Sequence, residues 1–371
     1  MKLICEREKL LHAFQMAASV APSRSPKPIL QNVKLEASAD VTTLMATDLD
    51  FGIRIEAVGV QVESPGCVIL PIGRFLAILR ESSEEKVEIA SDGTKTHVRG
   101  GRSEFFLPSE NPDEFPDIAQ FHEDRYSILP ARFFRELIRR TVFATDNESG
   151  RYALGGVLLE IGETEITGVG TDGRRLARQQ GPVKSNAGAS AENRENTIIP
   201  TRSMQLLERV IGDSEEEIWI AARDNDMLVK SQRATIYTRL VEGRFPKWRD
   251  VVPKFDQMTR IELVVGPFHS TVRQAAIVTS EDHRGVDFTF GDGKVVLVAH
   301  GAELGESKVE LPIAYDGPEI SVTLDPRFVG DFLKVLDPDT TFTLHVRNEE
   351  SPVVAVTGDG YSYVVMPLAR D

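Results

Sequence analysis

An internal repeat restricts the fold of this chain more than any other feature. Five segments share one shape: a strand-like residue or two, a proline, then apolar residues at helical spacing. They are Leu70-Pro71-Ile72-Gly73-Arg74-Phe75-Leu76, Leu129-Pro130-Ala131-Arg132-Phe133-Phe134, Ile199-Pro200-Thr201-Arg202-Ser203-Met204, Val265-Gly266-Pro267-Phe268-His269-Ser270 and Leu324-Asp325-Pro326-Arg327-Phe328-Val329. A sixth copy without proline, Glu6 to Phe14, opens the chain. Proline suits the first helical position, where its missing N–H costs nothing and its φ is preset, so each segment predicts a helix start. The prolines are spaced 59, 70, 67 and 59 residues apart.

A second repeat runs at twice that interval. Leu44-Met45-Ala46-Thr47-Asp48-Leu49-Asp50 matches Thr167-Gly168-Val169-Gly170-Thr171-Asp172-Gly173, with the Thr-Asp pairs 124 residues apart, and Leu297 to Glu303 reads as a decayed third copy. Phe115-Pro116 and Phe245-Pro246 recur 130 residues apart, in stretches rich in charge and proline that read as interdomain linkers. The expected division is three domains, 1–125, 126–253 and 254–371, each of two half-repeats. Between the helices lie runs of strands. Lys86 to Ala90 leads through Ser91-Asp92-Gly93 into a returning strand, and Glu217 to Ala221 and Thr341 to Val346 hold the matching places. Strands in series with one helix per half-repeat argue an α+β fold with antiparallel sheets. Val183 to Asn196, rich in Ser, Ala, Asn and Gly, reads as a surface loop.

Catalytic signatures are sparse. Gly168 to Gly173 fits G-x-G-x-x-G after a strand, but a dinucleotide site also needs a helix N-terminus to hold the pyrophosphate. Arg174 to Pro182 is too short and too soon broken for that helix, so a hairpin turn is expected there, with a nucleotide-binding enzyme as the alternative. Neither a P-loop nor a nucleophile elbow occurs. The seven histidines show no paired ligand spacing, and Cys5 and Cys67 make no zinc motif. The expectation is a protein that is not an enzyme and takes no cofactor or metal.

Composition enters through the charge. The chain of 371 residues carries a net charge of −14, which on its face opposes a nucleic-acid partner. The charge is unevenly spread, however: the six predicted helices sum to +7 and everything else to −21. Arg74, Arg80, Arg132, Arg135, Arg139, Arg140, Arg202, Arg209, Arg273, Arg327 and Lys334 all fall on helices. Six equivalent helices sharing one surface would make it basic within an acidic protein. No apolar run approaches the roughly 18 residues a membrane span needs. The opening residues turn charged too soon for a signal peptide, and two cysteines fit a reducing cytoplasm.

These residues together resemble the β sliding clamp of bacterial DNA polymerase III. The likeness covers essentially the whole chain and is carried by Ala46-Thr47-Asp48-Leu49, Arg151-Tyr152-Ala153-Leu154-Gly155-Gly156, Thr171-Asp172-Gly173-Arg174-Arg175-Leu176-Ala177, Gly243-Arg244-Phe245-Pro246 and Tyr363-Val364-Val365-Met366-Pro367-Leu368. The resemblance implies the DNA-clamp fold: a head-to-tail homodimer whose six domains close into a ring around duplex DNA, acting as a polymerase processivity factor. It implies DNA contacts at Arg24, Arg74, Asn147, Tyr152 and Arg202. It implies dimer edges at Phe105 and Leu107 on one side and Ile277 and Val278 on the other. It also implies a pocket for short linear peptides of the replicative polymerase subunit, the clamp loader and repair or translesion polymerases. The pocket residues are Leu154, Thr171, Gly173, Arg175, Leu176, Pro246, Val251, Val364, Met366 and Pro367. Arg174 stands where the family usually has histidine and Asp250 where arginine is common. The tail Ala369-Arg370-Asp371 also departs from the usual ending, and these changes bear on peptide preference.

Overall fold

The computed structural model describes residues 1–146, 152–185, 197–211, 215–280, 283–301 and 305–368, excepting the side chains of Tyr152 and Asp256. Among them are six α-helices: α1 (Arg7–Ala18), α2 (Ile72–Glu81), α3 (Ala131–Thr141), α4 (Thr201–Ile211), α5 (Val265–Ala275) and α6 (Pro326–Lys334). Each begins where the repeat predicts, but the prolines do not all occupy the first helical position. Pro71, Pro130 and Pro200 close the preceding strand one residue earlier, and Pro267 is the third residue of α5. Pro71 has φ −68° and ψ 118°, an extended backbone. A last strand residue and a first helical residue share the φ that proline presets, so one sequence signal serves both places. Only Pro326 follows the expectation, behind Asp325, whose carboxylate accepts the Arg327 N–H at 2.9 Å. Among the described residues no helix is long and apolar enough to cross a membrane.

The chain divides into two compact units, and the second repeat is split between them. The first unit holds a five-stranded antiparallel sheet in the order Val60–Ser64, Lys2–Glu6, Lys86–Ser91, Lys95–Gly100, Ser103–Pro108. It also holds a nine-stranded antiparallel sheet in which Ala234–Arg239 pairs with Phe51–Glu56, so strands of the first and second repeats share one ladder. Helices α1 and α2 pack through Phe14 and Phe75, with ring centroids 4.7 Å apart. The second unit repeats the plan. In its eight-stranded sheet Arg175–Pro182 pairs with Tyr361–Val365, joining the second repeat to the third. A four-stranded sheet follows in the order Gly305–Pro312, Lys294–Gly301, Val286–Gly291, Ile320–Leu324. Its core gathers Phe268, Phe288, Phe332, Phe342, Tyr361 and Tyr363, with the Phe332 ring stacked on both tyrosines at 5.5 and 5.2 Å. Burying such side chains stabilises the fold by up to about 3 kcal/mol each.

The Thr-Asp repeat is one turn built twice. Thr47 Oγ1 donates to Phe51 O at 2.7 Å and accepts from Leu49 N, while the Asp48 carboxylate accepts from Asp50 N and Phe51 N. Thr171 Oγ1 donates to Arg175 O at 2.6 Å and accepts from Gly173 N, and Asp172 accepts from Arg174 N and Arg175 N. The third residue lies in the left-handed region in both, at φ +88° for Gly173 and +82° for Leu49. The Gly168 to Gly173 stretch is therefore a strand running into a hairpin turn, as the missing helix predicts. The hairpin at Ser91-Asp92-Gly93 also forms, with Asp92 accepting from Thr94 N and Lys95 N, bonds that pull its carboxyl pKa down to about 2.

The stretches expected to be linkers are anchored straps. Phe115 and Ile118 are buried against Ile29, Leu30, Met45 and Ile69 on the first unit's shared sheet. Phe245 and Trp248 are buried against Leu158, Val169, Leu176, Val354 and Val364 on the second. Charge and proline in these stretches mark the chain path, and the few apolar residues among them decide the packing.

Candidate peptide-binding site and nucleic-acid face

Alternation along a strand sends neighbouring side chains to opposite faces, and this sorts the residues of the candidate pocket. Leu176 is paired with Val364, and both lie on the sheet face under the Phe245–Trp248 strap. Met366 continues the second strand, its N–H bonded to Arg174 O at 2.9 Å. Thr171 and Gly173 form the turn beside them, and Pro246 sits between the two buried strap aromatics, its carbonyl accepting from Trp248 N. Leu154 is buried and its neighbour Ala153 packs on the same cluster. Val251 ends the turn Trp248–Val251, and Val252 packs on the cluster. Val251 is 54% exposed and Met366 44%, which leaves apolar surface in contact with solvent, and Pro367 is half-buried. Exposed Arg174 and Asp250 flank the site.

Arg175 behaves differently. Its strand partner is Val365, and its guanidinium lies among the core residues of the third repeat. Nε donates to Asp172 at 2.9 Å, Nη1 to Asp331 at 2.8 Å and Nη2 to Phe143 O at 2.8 Å. The cation stands 4.4 Å from the Phe328 ring centroid. Its donors are thus committed within the chain, and its service to the site is to lock the Thr171–Arg175 turn onto α6. Asp331, Phe143, Phe328, Phe245 and Trp248 support the site and carry no local signal that would single them out from other core residues.

The equivalent junction between the first and second repeats carries different residues at the matching places. Gly52 stands 124 residues before Leu176, the spacing of the Thr-Asp turns, and pairs with Tyr237 as Leu176 pairs with Val364. A Cβ on Gly52 would lie 2.9 Å from Ile118 Cγ2. There the strap's own isoleucine fills the surface, and Tyr237 packs against it.

The basic helices retain part of their charge for solvent. Arg74 and Arg80 on α2, Arg209 on α4 and Arg273 on α5 are exposed, as is Arg24 in the loop after α1. Arg202 is exposed but shares its charge with Asp48 at 3.1 Å. Arg327 pairs with Asp325, Lys334 with Asp331 and Arg132 with Glu215. Arg140 is buried, between Glu136 at 2.6 Å, Asp359 at 2.8 Å and Gln179, and so belongs to the core instead of a basic surface. Asn147 and the side chain of Tyr152 lie outside the described residues.

Two of the edge strands among the described residues bear on assembly. Ser103–Pro108 ends the five-stranded sheet and Gly305–Pro312 ends the four-stranded one. On the first, Phe105 and Phe106 are exposed while Leu107 is buried within its own unit. Phe106 stacks on His97 at 4.6 Å. Near the second, Ile277 is 76% exposed and Val278 half-buried against the core.

Three α+β repeats with antiparallel sheets shared across the repeat boundaries define a clamp fold. Sequence profiles of the DNA polymerase III beta subunit match throughout: the N-terminal domain at residues 1–119, the central domain at 128–247 and the C-terminal domain at 249–369. The chain belongs to the DNA polymerase III beta subunit family. It is 29% identical to the beta sliding clamp of Chlamydia pneumoniae over 99% of both chains. Among solved structures it is similar to the pol III beta of Caulobacter crescentus (27% identity, TM-score 0.87) and to the sliding clamp of Pseudomonas aeruginosa bound to griselimycin (25%, 0.92), each covering 100% of both chains.

Proposed function

We propose that two copies of this chain close head to tail into a ring around duplex DNA and act as the processivity factor of a DNA polymerase. The observation that carries the reading is the pair of edge strands, one in the first repeat and one in the third, each with exposed apolar side chains close by. An open edge of unpaired N–H and C=O groups calls for a partner. Joining unlike edges is a heterologous contact that closes when the rotation allows it. Phe105 and Leu107 on one strand and Ile277 and Val278 beside the other are the proposed interface. The exposed Arg24, Arg74 and Arg202, with Asn147 and Tyr152, are the proposed DNA contacts. Arginines that meet phosphates without entering a groove give a sequence-independent, salt-sensitive attraction, so the ring slides and topology retains it. The proposed domain limits are 1–125, 126–253 and 254–371. The reading includes no catalytic step.

The second role is tethering. The surface formed by Leu154, Thr171, Gly173, Leu176, Pro246, Val251, Val364, Met366 and Pro367, with Arg175 holding its turn, takes short peptides of the polymerase, clamp loader and repair polymerases. Aliphatic residues and a pliable methionine accommodate varied Leu and Phe side chains. The griselimycin complex of the Pseudomonas aeruginosa clamp supports a ligand-binding surface on this fold. The test is retention on DNA: the loaded protein stays on a nicked circle and is lost when the circle is cut. Equal loss from circular and linear DNA contradicts the reading.

A further inference from the structure

Beyond the Leu176–Val364 pair, the next outward-facing pair on the same two strands is Arg178 and Ser362. Two residues along a strand is about 7 Å. An open groove of about 470 Å³ lies there, lined by Arg178, Trp248, Arg249, Val252, Phe255 and Val356, with Thr357 and Ser362 on its rim. Trp248, Val252 and Val356 also pack on the cluster that holds Leu176 and Val364, so groove and candidate pocket share a wall.

Two arginines line the groove, and Glu160 and Glu165 act on Arg178 from nearby. Arg178 and Arg249 stand 5.6 and 4.3 Å from the Trp248 ring. Glu160 is spent on Arg249, which it binds through both oxygens at 2.8 and 2.6 Å, while also accepting from Trp248 Nε1 at 3.2 Å. Arg178 donates from Nη2 to the neutral amide of Gln180, and its buried Nε has no hydrogen-bond partner among the described residues. Burial and the neighbouring Arg249 push the Arg178 pKa down and outweigh the opposing charges of Glu160 and Glu165. The remaining walls, Phe255, Val252 and Val356, are apolar.

We propose that this groove extends the peptide site and takes an acidic residue with an adjacent apolar side chain, flanking the segment held at Leu176 and Met366. The carboxylate meets Arg178, and the apolar side chain lies against Trp248 and Phe255. The two arginines disfavour a basic flank. The proposal rests on the reading of the Leu176–Met366 surface as the peptide site.

Fluorescence anisotropy with three labelled synthetic peptides tests it. One carries a Leu-Ser-Leu-Phe core alone, and the others carry the core extended by Ala-Asp-Phe at the N-terminus or at the C-terminus. One extended peptide binds about five- to tenfold tighter than the core, the range for a charge-assisted hydrogen bond discounted for solvent. Asp→Asn in that peptide removes the gain, a change that leaves the protein untouched. Arg178→Gln removes the same gain and spares the core peptide. Core binding with no gain from either extension, or a gain that survives both substitutions, overturns this proposal alone. Failure of the core peptide to bind overturns the peptide site and this extension with it.

Discussion

Leu176 and Val364 face each other across the strands that join the second repeat to the third, whereas Gly52 and Tyr237 hold the same places one junction earlier. Both pairs lie under a strap: Phe245 and Trp248 cover the first, and Ile118 packs on Gly52 in the second. One repeat thus yields two junctions that differ at the paired residues and in the strap side chains that cover them.

If the Leu176–Met366 surface is the peptide site, as proposed, its exposed residues carry the contact. Met366→Ala weakens binding of a Leu- and Phe-bearing peptide roughly tenfold, since burying part of such a side chain contributes about 1–1.5 kcal/mol. Val251→Ala acts in the same direction. Both residues are about half exposed, so the unfolding midpoint is unchanged. Isothermal titration and thermal denaturation of each variant check this. Leu176→Ala is a poorer probe, because it opens a cavity in the buried cluster under the strap.

Leu49 adopts a backbone conformation that suits glycine, as its counterpart Gly173 shows. Leu49→Gly stabilises the chain by about 1 kcal/mol, the relief of a left-handed residue set against glycine's greater freedom when unfolded. Gly173→Leu destabilises by a similar amount. Urea denaturation of both variants reads the effect, and a lower midpoint for Leu49→Gly contradicts it.

His345 is buried beside Phe255 and lies across the ladder from Arg260. Burial, then the Arg260 charge, holds its pKa below the ordinary 6.5. Between 6.5 and that lower value the unfolded chain takes up a proton that the folded chain refuses, so stability falls as the pH drops through this window. The midpoint of thermal unfolding followed from pH 7.5 to 5 shows this slope, and His345→Gln flattens it. An unchanged slope in the variant excludes His345 as its source.

Arg140 is buried and Asp359 is its partner from the last hairpin. Asp359→Ala removes one of two carboxylates from this cation and costs about 1–2 kcal/mol, reduced because Asp359 is itself half exposed. Glu136 and Gln179 remain to hold the guanidinium. Thermal denaturation at pH 7 measures the loss. Arg140 and Thr357 also hold the Asp359 carboxyl below its usual pKa despite burial, so the contribution is present at neutral pH and lost in acid.

The helices, the Thr-Asp turns and the Ser91-Asp92-Gly93 hairpin were legible in sequence because each is set by local signals, and repetition multiplied those signals. What was not legible depends on contacts distant in sequence. Phe115 and Trp248 looked like residues of polar linkers until the shared sheets gave them a surface to cover. Arg140 counted as a surface cation until Asp359, 219 residues away, drew it into the core. Arg175 adjoins Leu176 in sequence, but strand alternation turns its guanidinium to the opposite face, toward Asp331. Charge counting is blind to burial, and the helices therefore display less free positive charge than their sum of +7 suggests.

The central claim is that Ser103–Pro108 of one copy meets Gly305–Pro312 of another, twice, and closes the ring. Sedimentation equilibrium at micromolar concentration tests it most directly, with the native chain run beside Ile277→Arg, which sets a charge beside the proposed contact. The account predicts a native species at twice the chain mass with no larger assembly, and the variant at the mass of one folded chain. A native monomer, or open chains that grow with concentration, would contradict it.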